Sequence, residues 1–72
     1  MPRSVTLRIE IEREVDGRWI AEVRTLPGVM AYGKTRGRAL AAVKALALRV
    51  IADRLEQGEA ARGLSKVAFL SA

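Results

Sequence analysis

The chain contains no cysteine and no histidine among its 72 residues, and its only aromatic side chains are one tryptophan, one tyrosine and one phenylalanine. Without cysteine there are no disulfide bonds and no thiolate metal sites. Without histidine the commonest general base and the commonest metal ligand are missing. Catalysis would have to rely on hydroxyl groups, lysines or carboxylates, so we predict no enzyme activity, no catalytic residue, no metal and no cofactor.

Long apolar runs are also absent. No stretch of about 20 apolar residues spans a membrane and none resembles a signal peptide, so the sequence predicts a cytoplasmic protein with no membrane partner. The length predicts a single domain over residues 1–72, and a domain of this size buries only about 60% of the surface of its unfolded chain. Association commonly supplements so thin a core. We therefore expect a homo-oligomer, a dimer or a tetramer.

An alternation of apolar and polar residues predicts a first β-strand over residues 4–14 and a second over residues 18–24. Asp16-Gly17 between them is a turn signal. A three-residue loop over residues 15–17, with Gly17 in the left-handed conformation, makes the two strands a hairpin whose apolar faces agree.

A loop of this form sets the strand register, which a β-bulge would change. The apolar pairs that it aligns are Ile9 with Val23 and Ile11 with Ala21. The same register places Glu10 against Glu22, which is unfavourable unless Arg8 and Arg24 reach the two carboxylates diagonally. Glu10, Glu12 and Glu22 can share the exposed sheet face, where we interpret them as members of surface ion pairs. A metal site for phosphoryl transfer is the weaker alternative.

A helix is the clearest element of the second half. Leu26-Pro27-Gly28 ends the second strand, and a short third strand is predicted over residues 29–34. Thr35 is the predicted N-cap and Gly58 the predicted C-terminal stop. Between them, apolar residues at helical spacing form one broad stripe: Ala39, Leu40, Val43, Leu46, Ala47, Val50, Ile51 and Leu55.

Residues 59–64 are predicted to connect this helix to a last strand over residues 65–70. The resulting order is βββαβ. Because a sheet with one apolar face and a helix with one apolar stripe bury each other, we expect an α+β fold of two layers. It would consist of an antiparallel meander, one long helix and a final strand.

Three cations surround the predicted start of the helix, where the backbone N–H groups and the helix dipole already repel positive charge. Lys34, Arg36, Gly37 and Arg38 therefore form a candidate anion or partner site, with a phosphate or a carboxylate as occupant. The alternative is a surface turn that tolerates unfavourable electrostatics. The formal net charge of +5 is in keeping with an acidic partner or nucleic acid.

Two aromatic residues are candidate binding handles. Trp19 and Tyr32 each combine an apolar body with a hydrogen-bond donor, although packing in the core is the commoner role. Tyr32 is grouped with Arg8 and Arg24 as a possible partner contact. Lys44 lies at the edge of the apolar stripe, and we expect its stem to pack along that edge with the charge in water.

Several of these pieces occur together in one known family. Asp16-Gly17-x-Trp19, Leu26-Pro27-Gly28, Gly33-x-Thr35 and the Ala/Leu-rich helix from Ala39 follow one another over roughly residues 5–55. In this order and spacing the chain resembles the HicB-like antitoxin N-terminal domain. The resemblance implies a partial ribonuclease-H-like βββαβ fold that lacks the catalytic acids, forms oligomers, and binds and neutralises HicA, a small basic toxin that cleaves messenger RNA.

The chain departs from the family in two respects. It ends soon after the fourth strand, so we expect a stand-alone domain without the DNA-binding segment of these antitoxins. Arg38 stands where the family helix has acidic residues, and the chain is basic where the family is commonly acidic. We predict a non-catalytic protein-binding module that neutralises a HicA-like toxin. The alternative is a protein that binds nucleic acid or a phosphate ligand at the basic helix start.

Overall fold

A computed structural model describes residues 3–58 and 64–71, which form one four-stranded mixed sheet and one helix. The elements are β1 (Arg3–Arg13), β2 (Trp19–Val23), β3 (Met30–Gly33), α1 (Arg36–Glu56) and β4 (Leu64–Ser71). The predicted α+β class and βββαβ order are confirmed. The predicted connection over residues 59–64 lies outside the described residues except for Leu64, which begins β4.

The strands lie in the order β3-β2-β1-β4. β2 is antiparallel to both of its neighbours, whereas β4 is parallel to β1. Two parallel neighbours need a crossover connection, and α1 lies in the chain segment that provides it. α1 packs on β3, β2 and β1, which leaves the opposite side of the sheet without a covering layer of the described residues.

The hairpin register is the predicted one. Ile9 pairs with Val23 and Ile11 with Ala21, while Glu10 lies opposite Glu22. Gly17 has a φ of +92°, which a residue with a side chain rarely adopts. Arg24 resolves the like-charge pair, because its Nε contacts the carboxylate of Glu10 and lies 3.9 Å from that of Glu22.

Asp16 closes the hairpin turn through Arg18. The backbone N–H of Arg18 donates to Oδ1 of Asp16 at 3.0 Å and the Arg18 Nε donates to Oδ2 at 2.7 Å. These two hydrogen bonds, the backbone one first, hold the pKa of Asp16 below its usual range. A group whose folded pKa is lowered stabilises the fold above its unfolded pKa and loses this effect as the pH falls through the folded pKa.

We therefore expect Asp16→Asn, which keeps an acceptor oxygen but removes the charge, to lower the melting temperature slightly at neutral pH. The difference from the unmodified protein should shrink as the pH falls through the lowered pKa, because the carboxylate itself is then protonated. Thermal unfolding at neutral and at strongly acidic pH, monitored by circular dichroism, measures this difference in melting temperature. A difference that stays constant or grows in acid would contradict this role of the carboxylate.

The core is wholly apolar among the described residues and lies between α1 and the sheet. Its buried side chains are Leu7, Ile9, Ala21, Val23, Leu26, Val29, Ala39, Val43 and Ala47. Three of them are alanines, and two of these, Ala39 and Ala47, lie about one helical turn before and after Val43. Because alanine is small, α1 lies close to the strands. Leu55, predicted to belong to the buried stripe, is instead 39% exposed, since it lies about 120° around the helix from Val43 at about 3.6 residues per turn.

Both ends of α1 are capped as predicted. Thr35 is in the extended conformation and its Oγ1 accepts a hydrogen bond from the N–H of Arg38 at 3.1 Å. At the other end, Gly58 has a φ of +81° and its N–H donates to the carbonyl oxygen of Leu55 at 3.1 Å. These contacts satisfy backbone groups that a helix terminus leaves without an intrahelical partner.

Candidate protein-binding face

The sheet side opposite α1, here called the outer face, is built from the alternate residues of the strands. Leu7 and Ile9 point into the core, so their neighbours Thr6, Arg8 and Glu10 point the other way. The ladder pairs then place further residues on the same face: Glu12, Ile20, Glu22, Arg24, Met30, Tyr32 and Leu70.

One half of the outer face, over β2 and β3, is apolar and aromatic. Ile20 is half-buried and pairs with Tyr32, and Met30 lies beside them on β3. Met30 and Tyr32 keep 43% and 47% of their surface exposed. The guanidinium carbon of Arg18 lies 4.6 Å from the centre of the Tyr32 ring, a cation–π distance. The pairing of Arg18 with Asp16 and Tyr32 links the hairpin turn to β3.

The neighbouring part of the outer face is acidic. An open depression of about 230 Å³ is lined by Glu10, Ile11, Glu12, Glu14, Ile20, Glu22 and Arg24. Half of the eight acidic residues of the chain therefore line one depression. Arg24 is the only cation among them, so three negative charges remain uncompensated there. The protein as a whole is basic, but this face is locally acidic and attracts cationic groups.

The predicted contact residues Arg8, Arg24 and Tyr32 all lie on the outer face. Arg8 and Arg24 border a second open depression, of about 330 Å³, together with Glu10 and Thr25. Arg24 is held by its two carboxylates, whereas Arg8 has no carboxylate partner within residues 3–58 and 64–71. Of the two predicted ion-pairing arginines, Arg24 alone fulfils the role in this part of the chain.

The basic residues at the helix start form a separate surface. Lys34, Arg36, Gly37 and Arg38 are all exposed. Thr35 already binds the N–H of Arg38, which occupies one of the amide groups that an anion would use. An anion site at these residues remains a prediction.

The aromatic residues divide between the two roles. Trp19 is half-buried and packs against the core, as expected, but Tyr32 does not. Core packing is therefore the wrong interpretation for Tyr32, because the ladder places it on the outer face opposite Ile20. Lys44 is half-buried with its Nζ 5.9 Å from the ring centre of Phe69, in agreement with a stem that packs along the edge of the apolar stripe.

The sequence favoured the exposed sheet face for Glu10, Glu12 and Glu22, but we interpreted these acids as surface ion pairs and not as an acidic depression. Glu10 and Glu12 alternate along β1 and Glu14 continues the same period just beyond the strand, so this period favours one side for all three. Register then adds Glu22. The ion-pair interpretation relied on Arg8 and Arg24, but of the two only Arg24 has a carboxylate partner among the described residues, so the depression keeps a net negative charge.

Among the described residues no group of three or more acidic side chains is arranged to hold a metal ion. No helix in the same part of the chain is both long enough and apolar enough to cross a bilayer. Comparison of the chain with protein-family models, with curated proteins and with solved structures gives no match.

Proposed function

We propose that the protein is a non-catalytic binding module whose outer face recognises a small basic protein, and that it acts in the cytoplasm as a HicB-like antitoxin that neutralises an RNA-cleaving toxin. The observation that carries the proposal is the composition of the outer face. It joins an acidic depression to exposed Tyr32 and Met30 on one surface.

The chemistry of this face is that of a protein interface. Tyrosine, methionine and arginine are enriched at the centres of interfaces, and here Tyr32, Met30 and Arg18 lie together. The carboxylates beside them complement lysine or arginine side chains of a partner, which accelerates association and fixes its orientation. Because half of the acidic residues of the chain line the acidic depression, a protein of net charge +5 still offers a binding surface for a basic partner.

The fold also supports the antitoxin role. The βββαβ order is the one that the resemblance to HicB-like domains implies, and the motif pieces have structural tasks in it. Gly17 turns the hairpin, and Thr35 caps the helix. A small ribonuclease binds RNA with basic residues, so a partner whose acidic and aromatic surface covers them blocks substrate access.

Capture from a nuclease-treated extract of the native cells, at low and high salt, tests the proposal. We expect the immobilised protein to retain a small basic protein. That protein should degrade RNA when isolated and should be inhibited by an equimolar amount of the domain. We expect Tyr32→Ala to weaken the complex by at least about tenfold, as for a central aromatic residue, and Glu12→Lys to slow its association.

Asp53→Lys is the matched control, because it makes the same charge change at an exposed position of α1, away from the outer face. It should leave capture and inhibition intact. The outer face is not the binding site if a protein is retained after nuclease treatment and neither Tyr32→Ala nor Glu12→Lys weakens its retention. If the retained material is nucleic acid, released by salt and lost in Arg36→Glu, the basic helix start is the binding site and the antitoxin proposal fails.

A further inference from the structure

α1 has a second apolar stripe that faces away from the sheet. Its members are Ala41, Ala45, Leu48, Ala52 and Leu55, all of them exposed. Leu48 and Leu55 keep 48% and 39% of their surface accessible. A helix on the surface of a small domain normally carries polar residues on this side. The outward stripe, as we call these five residues, therefore has the composition of a contact surface.

The spacing of the outward stripe suits another helix. Its members follow one another at alternating intervals of four and three residues, the spacing of a coiled-coil seam. The stripe runs for about 21 Å at about 1.5 Å per residue. Its alanines allow a second helix to approach closely, and Leu48 and Leu55 fill the spaces between them.

The charges at the two ends of the stripe select the occupant. Arg38 and Glu56 lie in the same direction around α1, five turns apart at about 3.6 residues per turn. If two copies pack with their helices antiparallel, Arg38 of each copy lies beside Glu56 of the other. A parallel arrangement would not bring these opposite charges together and would align the two helix dipoles unfavourably. Arg49, which borders the middle of the stripe, opposes association and keeps it weak.

We propose that the outward stripe is the interface of a two-fold symmetric homodimer in which α1 packs antiparallel to α1 of a second copy. A two-fold axis near Leu48 makes the surface complementary to itself, so the assembly closes at two copies. The layers are then sheet, helix, helix and sheet. Both outer faces remain exposed on opposite sides of the dimer, so this inference does not depend on the function proposed for them.

Sedimentation equilibrium over a concentration series tests the interface. We expect the mass to rise from that of the 7.9 kDa chain towards twice that value. Leu48→Glu places two carboxylates at the two-fold axis and should raise the dissociation constant at least about tenfold, while glutamate retains helix propensity. Val15→Glu introduces the same charge at a fully exposed apolar position of the hairpin and should leave the dissociation constant unchanged.

A charge exchange tests the antiparallel arrangement. Glu56→Lys and Arg38→Glu should each weaken the dimer several-fold, and the double variant should restore it, because the opposite charges meet again. Each single change also places a charge that stabilises α1 at that end of the helix. A weaker dimer would therefore not be explained by unfolding of α1. A protein that stays monomeric up to its solubility limit, or a dimer that Leu48→Glu leaves intact, would overturn the interface. Failure of the double variant to recover would overturn the antiparallel pairing.

Discussion

Replacing Ile9 by alanine should destabilise the domain by about 2–5 kcal/mol, the range for loss of a fully buried aliphatic side chain in a packed core. Ile9 is completely buried on β1, which lies between β2 and β4, and it pairs with Val23 in the hairpin. A chain of this length has a total stability of roughly 4–11 kcal/mol at about 0.05–0.15 kcal/mol per residue. The substitution therefore removes a large share of it.

Equilibrium unfolding in urea, at one fixed protein concentration, measures this loss as a lower midpoint with an unchanged slope. Val15→Ala is the control, since Val15 is fully exposed in the hairpin loop and its truncation should change stability by less than about 0.5 kcal/mol. Equal effects of the two substitutions would show that Ile9 is not in the core.

The hairpin was predictable in detail because several local constraints agree on one register. The strand period puts the apolar residues on one side, and Gly17 permits the turn that brings them opposite one another. The awkward Glu10–Glu22 pair followed from that register, and so did its resolution by Arg24. The caps of α1 were predictable for the same reason, since Thr35 and Gly58 act on backbone groups close to them in sequence.

The features that the sequence did not predict depend on distant neighbours. Leu26 was regarded only as part of a turn, but it is buried against the core. Core packing was considered the commoner role for an aromatic residue such as Tyr32, but the pairing of β3 with β2 puts Tyr32 on the outer face. Leu55 was predicted to belong to the apolar stripe that packs on the sheet, but the packing of α1 on the strands leaves Leu55 exposed.

The candidate site also combines features that depend on neighbours in sequence with features that depend on distant residues. Arg8, Arg24 and Tyr32 were grouped from the sequence as possible partner contacts, and the structure places all three on the outer face, although a contact with a partner stays a prediction. The acidic depression depends on both strands of the hairpin together, since Glu22 joins the acids of β1 only through the register. The sequence already favoured one exposed face for Glu10, Glu12 and Glu22, but the interpretation as surface ion pairs left the excess negative charge of that face unrecognised.

Gly33 should not tolerate a side chain, whereas Gly37, four residues later, should be improved by one. A Cβ on Gly33 would lie 2.4 Å from the backbone nitrogen of Ala39 and 2.8 Å from the carbonyl carbon of Arg38. Backbone atoms cannot rotate away, so the first turn of α1 must shift from β3. We expect Gly33→Ala to cost at least about 1–3 kcal/mol, the range for overpacking.

Gly37 lies in the first turn of α1, and a Cβ there meets nothing within 4 Å. Gly37→Ala should therefore stabilise the protein by about 0.5–1 kcal/mol, because alanine loses less conformational entropy than glycine when it enters a helix. Urea unfolding of the two variants should give opposite signs. If Gly33→Ala stays within about 0.5 kcal/mol of the unmodified protein, the contact between the helix start and β3 is looser than described. The opposite signs would give a physical reason for glycine in the Gly33-x-Thr35 motif: the glycine admits the helix backbone to the sheet, and the threonine two residues later caps that helix.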